Sequence, residues 1–220
     1  MNYILISKLK WKESNYNYLN KKTIYFDKIN KKKIKEINPE VIFFLHWSNK
    51  IPEEIFKNFL CIQFHASNLP KFRGGSPIQN QILKGKKNTI ISAFKVEKKL
   101  DTGDICIKKK LSLKGNIEEI FIRLEKIAIT SINKLIKMKK IKFKKQSGKA
   151  TYLNRRSPSD SNLLKFEPSN LNDIYNFIRM VDSKEYPNAF INLNKFKVIF
   201  NKANYKKGII NGKFKIVKKK

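Results

Sequence analysis

The stretch LCIQFHASNLPKFRGG, residues 60–75, decides the fold class of this chain. Its first five residues predict a strand that is buried on both faces. The remainder is a loop rich in proline and glycine, and His65 stands where the strand gives way to that loop. Open α/β sheets bind their ligands at the carboxyl ends of strands, so His65 is the first candidate functional residue.

Short apolar strands alternate with helical segments on both sides of this stretch. The sequence predicts strands at residues 3–7, 23–26, 41–45, 60–64, 89–96 and 104–111, and helices from residue 52, at about 76–83 and at 116–138. Such alternation is typical of an α/β fold with a mainly parallel sheet.

A basic run followed by Gln146-Ser147-Gly148 predicts a domain boundary. We expect a catalytic domain over residues 1–145 and a small C-terminal α+β subdomain over residues 150–220. The subdomain contains a predicted helix at 171–180, with Ser169 or Asn170 as its cap, and predicted short strands at 189–193, 196–200, 208–210 and 214–217. It is too small to hold a core alone, so we expect it to pack on the first domain.

The composition excludes several classes of protein. With 41% apolar and 12% aromatic residues among 220, the chain is not disordered. Two cysteines, Cys61 and Cys106, cannot frame a disulfide fold, and no spacing predicts a metal site. Because the sequence has neither a signal peptide nor a long apolar run, we expect a cytoplasmic protein with no membrane insertion.

The formal net charge of +32 is the most unusual bulk property. Nucleic-acid surfaces use arginine heavily, yet only five of the 49 basic residues are arginine. Lysine accompanies asparagine and isoleucine, residues with A+T-rich codons. This pattern favours compositional drift over a dedicated nucleic-acid surface, although such a field still attracts anions.

The loop after the predicted strand resembles a known signature. Residues 65–74 match the pattern His-x-Ser-x-Leu-Pro-x-x-Arg-Gly of folate-dependent formyltransferases, and SPIQ (76–79) and LDTGD (100–104) continue the resemblance. Asp101 follows His65 by 36 residues, as in that family. The resemblance covers roughly residues 40–200. It implies a Rossmann-like formyltransferase domain, 10-formyltetrahydrofolate as formyl donor and no metal.

The same resemblance implies a catalytic group of His65, Asp101 and Gln63. The imidazole would stabilise the oxyanion and transfer a proton, and the carboxylate would orient the ring and accept the proton of the amine. Gln63 departs from the family, which has asparagine there to hold the formyl oxygen. Glutamine keeps the amide donor but adds a methylene group, and a misplacement of about 1 Å can cost activity.

Further binding residues follow from neighbouring segments. The predicted cofactor-binding residues are His46, Trp47, Ser48, Arg73 and Gly74, and the predicted substrate-binding residues are Ser67, Pro77, Arg155 and Arg179. Trp47 is equally compatible with a role as a core anchor. Arg155, Arg156 or Arg179 could bind a diphosphate, or could be solvated partners in surface ion pairs.

The acceptor is inferred from the C-terminal part. Residues 46–48, 154–161, 174–180 and 186–190 resemble segments of nucleotide-sugar N-formyltransferases, and 82 residues after position 138 are few for a tRNA-gripping domain. We therefore expect a nucleotide-linked amino sugar as acceptor, in polysaccharide biosynthesis. Methionyl-tRNA is the alternative, with nucleic acid as partner only in that case. A basic nucleic-acid-binding protein on a decayed enzyme fold is the third possibility, and a homodimer is left open.

Overall fold

The computed structural model describes residues 2–219, so Met1 and Lys220, the outer ends of the two predicted domains, lie outside the described residues. In chain order the strands are β1 (Tyr3–Ser7), β2 (Thr23–Phe26), β3 (Val41–Leu45), β4 (Leu60–His65), β5 (Arg73–Gly74), β6 (Asn88–Lys95), β7 (Ile105–Ser112), β8 (Tyr152–Leu153), β9 (Ala189–Leu193), β10 (Phe196–Lys206) and β11 (Ile209–Lys218). The α-helices are α1 (Glu13–Tyr16), α2 (Lys31–Ile37), α3 (Glu53–Asn58), α4 (Pro77–Leu83), α5 (Ile117–Ile136) and α6 (Leu171–Arg179), and short 3-10 helices span Pro158–Ser161 and Leu163–Lys165.

The central sheet has the strand order β2-β1-β3-β4-β6-β7 within residues 2–219. The first four strands are parallel neighbours, because helical crossovers return the chain to the same edge each time. β6 runs antiparallel to β4 and to β7. The predicted α/β class with a mainly parallel sheet is confirmed, with β6 as the reversed strand.

Helix α5 covers one face of this sheet. It begins with a capping box, in which Asn116 and Glu119 exchange side-chain and backbone hydrogen bonds. Its apolar stripe buries side chains that belong to the same cluster as those of β1, β3 and β4: Ile117, Ile120, Leu124, Ala128, Ile132 and Leu135. Burial of each isoleucine or leucine side chain stabilises the folded state by about 1.5–3 kcal/mol relative to its exposure to water. The helix fixes the sheet and, through it, the strand ends.

The C-terminal segment packs on the sheet domain. Phe177 and Ile178 of α6 and Ala189 of β9 belong to the apolar cluster that α5 and the sheet form. The expected short strands at 208–210 and 214–217 are wrong in detail, because β11 is continuous and pairs with a long β10. Lysines alternate with apolar residues there, which suits one extended hairpin. The division at residues 145–150 stays a prediction.

Within residues 2–219, none of the helices has the length and apolar character that a membrane span requires.

Candidate active site

His65 and Asp101 form a buried pair at the carboxyl end of β4. Their side chains are 7% and 4% exposed, and His65 Nδ1 lies 3.7 Å from Asp101 Oδ2. His65 Nε2 lies 2.8 Å from the carbonyl oxygen of Phe72. A carbonyl only accepts, so Nε2 carries the proton and the neutral ring has its lone pair at Nδ1. This nitrogen can accept a proton on the side that faces Asp101.

Two backbone features hold the Asp101 carboxylate in place. Asp101 has a φ of 53°, a left-handed conformation that few residues adopt, and its Oδ2 accepts the Gly74 N–H at 2.8 Å. At Gly103, an added Cβ would lie 1.7 Å from the carbonyl oxygen of Lys95. The glycine of the LDTGD segment is therefore required by the close approach of β6.

The connector between the two predicted domains also reaches this loop. Gln146 donates through Nε2 to the carbonyl oxygens of Asp101 (2.9 Å) and Gly103 (2.8 Å). Gly74 pairs with Leu153 of β8, and an added Cβ at Gly74 would lie 2.3 Å from the Leu153 carbonyl oxygen. The glycine that ends the signature is explained by this contact.

Gln63 lies two residues before His65, on the same face of β4. Its Nε2 donates to the carbonyl oxygen of Trp47 at 3.2 Å, which leaves the second N–H of the amide available to a ligand. The amide therefore couples the Trp47 loop to the strand end. Its predicted role toward the formyl oxygen stays a prediction.

These groups share one cleft of about 1120 Å³. Of the residues that the sequence predicts for the site, those that line it are Gln63, His65, Asp101, His46, Trp47, Ser48, Gly74, Pro77 and Arg155. Arg155 also donates to the carbonyl oxygen of Ser48 at 3.0 Å, which joins the C-terminal segment to the loop after β3.

Arg73 is directed away from this cleft. Its Nη2 donates to Gln146 Oε1 at 2.8 Å and its Nη1 to the Tyr152 hydroxyl at 3.1 Å. The guanidinium therefore holds the connector, and the structure does not bring it to the cleft as a cofactor ligand.

Ser67 and Arg179 are likewise occupied elsewhere. The buried hydroxyl of Ser67 donates to the Lys71 carbonyl oxygen at 2.7 Å. The buried guanidinium of Arg179 donates to the carbonyl oxygens of Leu113 (2.6 Å) and Gly115 (2.7 Å). Neither side chain is brought to the cleft, and both fix local backbone.

His46 follows β3, the strand beside β4. Its side chain is 5% exposed, and burial lowers its pKa from 6.5 to about 3. His46 Nε2 lies 3.8 Å from Oε1 of Glu125 and makes no hydrogen bond within the described residues. Although this spacing would suit an ion pair, burial keeps the ring neutral at physiological pH.

An aromatic wall closes the cleft beside His46, and sequence reasoning did not assign it. Trp11 stacks on Phe121 with ring centroids 4.7 Å apart and planes 9° from parallel, and Tyr186 lies nearly parallel to both at about 6 Å. His46 meets Phe121 edge-on at 5.2 Å. The buried Trp11 Nε1 has no partner in the described residues. The wall thus combines apolar faces with an unused donor.

Glu125 of α5 fixes this wall and was also missed. The fully buried carboxylate accepts the N–H groups of Trp11 (2.9 Å) and Lys12 (3.0 Å), the Asn15 amide (3.0 Å) and the Tyr16 hydroxyl (2.9 Å). Burial and the Glu125 charge raise the pKa of Tyr16, so its hydroxyl remains a donor. A signal existed, because Glu125 lies within the apolar stripe of α5, one turn after Phe121.

A buried histidine–aspartate pair at a strand end of an α/β sheet is an arrangement suited to acid–base chemistry. Two family models match the chain. "Formyl transferase" matches residues 6–120, and "Methionyl-tRNA formyltransferase, C-terminal domain" matches residues 158–217. The first alone covers more than half of the sequence, and the chain belongs to the formyl transferase family.

Similar proteins give the same result. The solved structure "Methionyl-tRNA formyltransferase from Clostridium thermocellum" is 41% identical, with a TM-score of 0.89 over 100% of both chains. Curated methionyl-tRNA formyltransferases include that of Malacoplasma penetrans, 30% identical over 81% of this chain and 59% of its own length. The enzyme of Caldicellulosiruptor saccharolyticus is 34% identical over 54% of this chain and 40% of its own length. The chain spans about half the length of the curated relatives that it matches.

The expected amino-sugar acceptor, with its polysaccharide context, is wrong. A sugar N-formyltransferase from Shewanella is only 16% identical, with a TM-score of 0.66. HypX from Aquifex aeolicus in complex with tetrahydrofolic acid is 14% identical, with a TM-score of 0.73. At such low identity, both structures show the fold alone. The short C-terminal segment misled the sequence argument. The C. thermocellum chain has the same extent, so shortness does not weigh against a tRNA acceptor.

Proposed function

We propose that this chain transfers the formyl group of 10-formyltetrahydrofolate to the α-amine of methionyl-tRNA. The observation that carries the proposal is the 41% identity, over all of both chains, to a solved methionyl-tRNA formyltransferase. The buried His65–Asp101 pair supports the proposal, since amine acylation needs a proton acceptor at the reacting atoms.

The cleft fits a folate donor together with an aminoacyl acceptor. Its volume of about 1120 Å³ exceeds the usual range of single-ligand pockets, which extends to roughly 1,000 Å³. Trp47 Nε1 is buried without a partner in the described residues, and the Gln63 amide, which donates one N–H to the Trp47 carbonyl oxygen, has a second N–H unused. These donors suit the heteroatoms of a pterin and the formyl oxygen. When bound, 10-formyltetrahydrofolate supplies the formyl carbon.

The pair then divides the proton chemistry. His65 Nδ1 has its lone pair available, because Nε2 donates to the Phe72 carbonyl. It accepts the proton of the attacking amine as the bond between the amine nitrogen and the formyl carbon forms, and Asp101 stabilises the resulting imidazolium from 3.7 Å. While it holds this proton, Nδ1–H is a donor toward the formyl oxygen, where negative charge develops. The proton then passes, directly or through water, to the donor nitrogen as its bond to the formyl carbon breaks. The free Gln63 N–H adds a second donor to the formyl oxygen.

The cleft is lined by cationic and aromatic side chains. Its basic residues are Lys8, Lys50, Lys98, Lys99, Arg155 and Arg156. They suit the phosphates at the end of a charged tRNA, and binding would weaken steeply with salt. The wall of Trp11, Phe121 and Tyr186 offers aromatic faces to an unbranched thioether, a contact worth about 0.3–1.5 kcal/mol.

The test is mass spectrometry of methionyl-tRNA after incubation with 10-formyltetrahydrofolate and the enzyme. We expect one added formyl group on methionine, none on methionyl-tRNA with a blocked amine, and at least a hundredfold slower transfer by His65→Asn. Absence of transfer by the folded wild-type chain would reject the proposed function.

A further inference from the structure

Gln146 lies in the connector between the sheet domain and the C-terminal segment, yet its amide reaches the Asp101 loop. Nε2 donates to the carbonyl oxygens of Asp101 and Gly103 at 2.9 and 2.8 Å. Oε1 accepts from Arg73 Nη2 at 2.8 Å. Both ends of the amide are therefore used, and both bind backbone or side chains of the signature segments.

The two loops that Gln146 joins also carry the His65–Asp101 pair. Asp101 Oδ2 accepts the Gly74 N–H, directly after Arg73, and the Phe72 carbonyl oxygen fixes the proton of His65 at Nε2. Asp101 itself has a left-handed φ of 53°. A strained residue keeps such a conformation only while its surroundings over-determine it.

We propose that Gln146 is a positioning residue, held by Arg73, that sets the Asp101 carboxylate against His65. The inference rests on the proposed function for its kinetic part. It gives Arg73 and the connector a role in catalysis without contact with either substrate. Because the connector leads into the C-terminal segment, the position of that segment affects how the Asp101 carboxylate is held against His65.

Gln146→Glu separates this role from simple attachment of the connector. A glutamate keeps an acceptor for Arg73 and gains an ion pair there, but it places carboxylate oxygens against two carbonyl oxygens. If Gln146 only tied the connector to Arg73, the glutamate variant would equal the wild type. If it positions Asp101, we expect kcat to fall at least tenfold while KM for methionyl-tRNA changes less than threefold.

The matched control is Asn133→Ala. The Asn133 amide also joins distant segments, since it accepts the Asn20 N–H at 3.0 Å and donates to the Tyr18 carbonyl oxygen at 2.6 Å, away from the cleft. We expect this variant to melt at a temperature similar to that of Gln146→Ala and to keep wild-type kcat. Equal loss of kcat in Asn133→Ala and Gln146→Ala would overturn the proposal.

A second readout needs no acceptor. The chain has two histidines, so each imidazole Cε1–H signal in its NMR spectrum belongs to either His65 or His46. At fixed pH, Gln146→Glu should shift the His65 signal and leave that of His46 in place. If this shift occurs in an enzyme that formylates no methionyl-tRNA, the positioning role stands and the proposed function fails. If the His65 signal of Gln146→Glu does not shift and its kcat equals that of the wild type, the positioning role is overturned.

Discussion

The ends of β3 and β4 each present a buried histidine to a carboxylate at nearly the same distance. His65 Nδ1 lies 3.7 Å from Asp101, and His46 Nε2 lies 3.8 Å from Glu125. Their surroundings differ. Glu125 accepts four hydrogen bonds, whereas the Asp101 carboxylate accepts a single one, from Gly74, within the described residues.

This difference indicates which pair can do chemistry. A carboxylate that four donors already saturate has no capacity to take a proton without loss of those bonds. The Asp101 carboxylate retains lone pairs, and its histidine has a tautomer fixed by Phe72. The His–carboxylate distance is nearly equal in the two pairs, and the unused hydrogen-bonding capacity of Asp101 is what favours His65–Asp101 for the proposed proton transfer.

The largest expected effect follows from the same substitution at both histidines. His65→Asn removes the proton acceptor and should lower kcat for formyl transfer about a hundredfold or more. His46→Asn should keep a kcat at least tenfold above that of His65→Asn, because His46 is not the proposed proton acceptor. Asparagine tolerates the φ of 49° at position 46, so the backbone is expected to keep its conformation. Steady-state kinetics measure both, with circular dichroism as the folding control. Equal losses would remove the distinction between the two pairs.

Gln63→Asn is expected to have the next largest effect. The shorter amide loses the Trp47 carbonyl, now 3.2 Å from Gln63 Nε2, and falls short of the formyl oxygen. Loss of one such donor costs about 3 kcal/mol of barrier, or roughly a hundredfold in rate. Turnover is measured beside that of Gln63→Ala. If both variants match the wild type, the amide takes no part and the site reduces to His65 and Asp101.

Trp11→Ala tests the aromatic wall and should act on binding. Removal of the indole eliminates stacking on Phe121 at 4.7 Å and opens the aromatic wall that is proposed to contact the methionine side chain. We expect KM for methionyl-tRNA to rise about tenfold, since an aromatic anchor contributes 1–2 kcal/mol or so, with kcat within threefold. Trp11→Phe should restore most of the affinity. A fall in kcat alone would contradict a binding role.

The last prediction concerns stability against acid and not catalysis. The pKa of His46 is about 3 in the folded chain and near 6.5 when unfolded, so between these values only the unfolded chain binds this proton. The neutral His46 does not oppose folding above pH 6.5. As the pH falls from 6.5 toward 3, proton binding by the unfolded chain lowers the folding equilibrium constant by about tenfold per pH unit. His46→Asn should flatten that slope by one proton in urea titrations. An unchanged slope would show that His46 charges in the folded state.

The sequence predicted those parts of the molecule that local pattern determines. Strands β1, β3 and β4 are predicted by their apolar runs, and the resemblance of two motifs to those of formyltransferases indicated His65 and Asp101. Glu125 was missed because a charged side chain on a helix usually lies in solvent, although its place on the apolar face of α5 signalled burial. Gln146 could not be found by pattern, since its partners are more than 40 residues away along the chain.

The acceptor could not be read from local pattern either. Segments near Arg155 and Tyr186 suggested a sugar enzyme, yet the match over the entire chain is to a methionyl-tRNA formyltransferase. Arg73 illustrates the same limit, because a guanidinium in a signature loop suggests a ligand contact and here it holds the connector. Only the tertiary structure shows where a long side chain ends.

The most direct measurement is single-turnover formylation of methionyl-tRNA, with 10-formyltetrahydrofolate in excess, by the wild type, His65→Asn and His46→Asn side by side. The account predicts rapid transfer of one formyl group by the wild type, transfer slower by about a hundredfold or more with His65→Asn, and a rate at least tenfold above that variant with His46→Asn. No transfer by the folded wild type, or equal rates for the two variants, would contradict it.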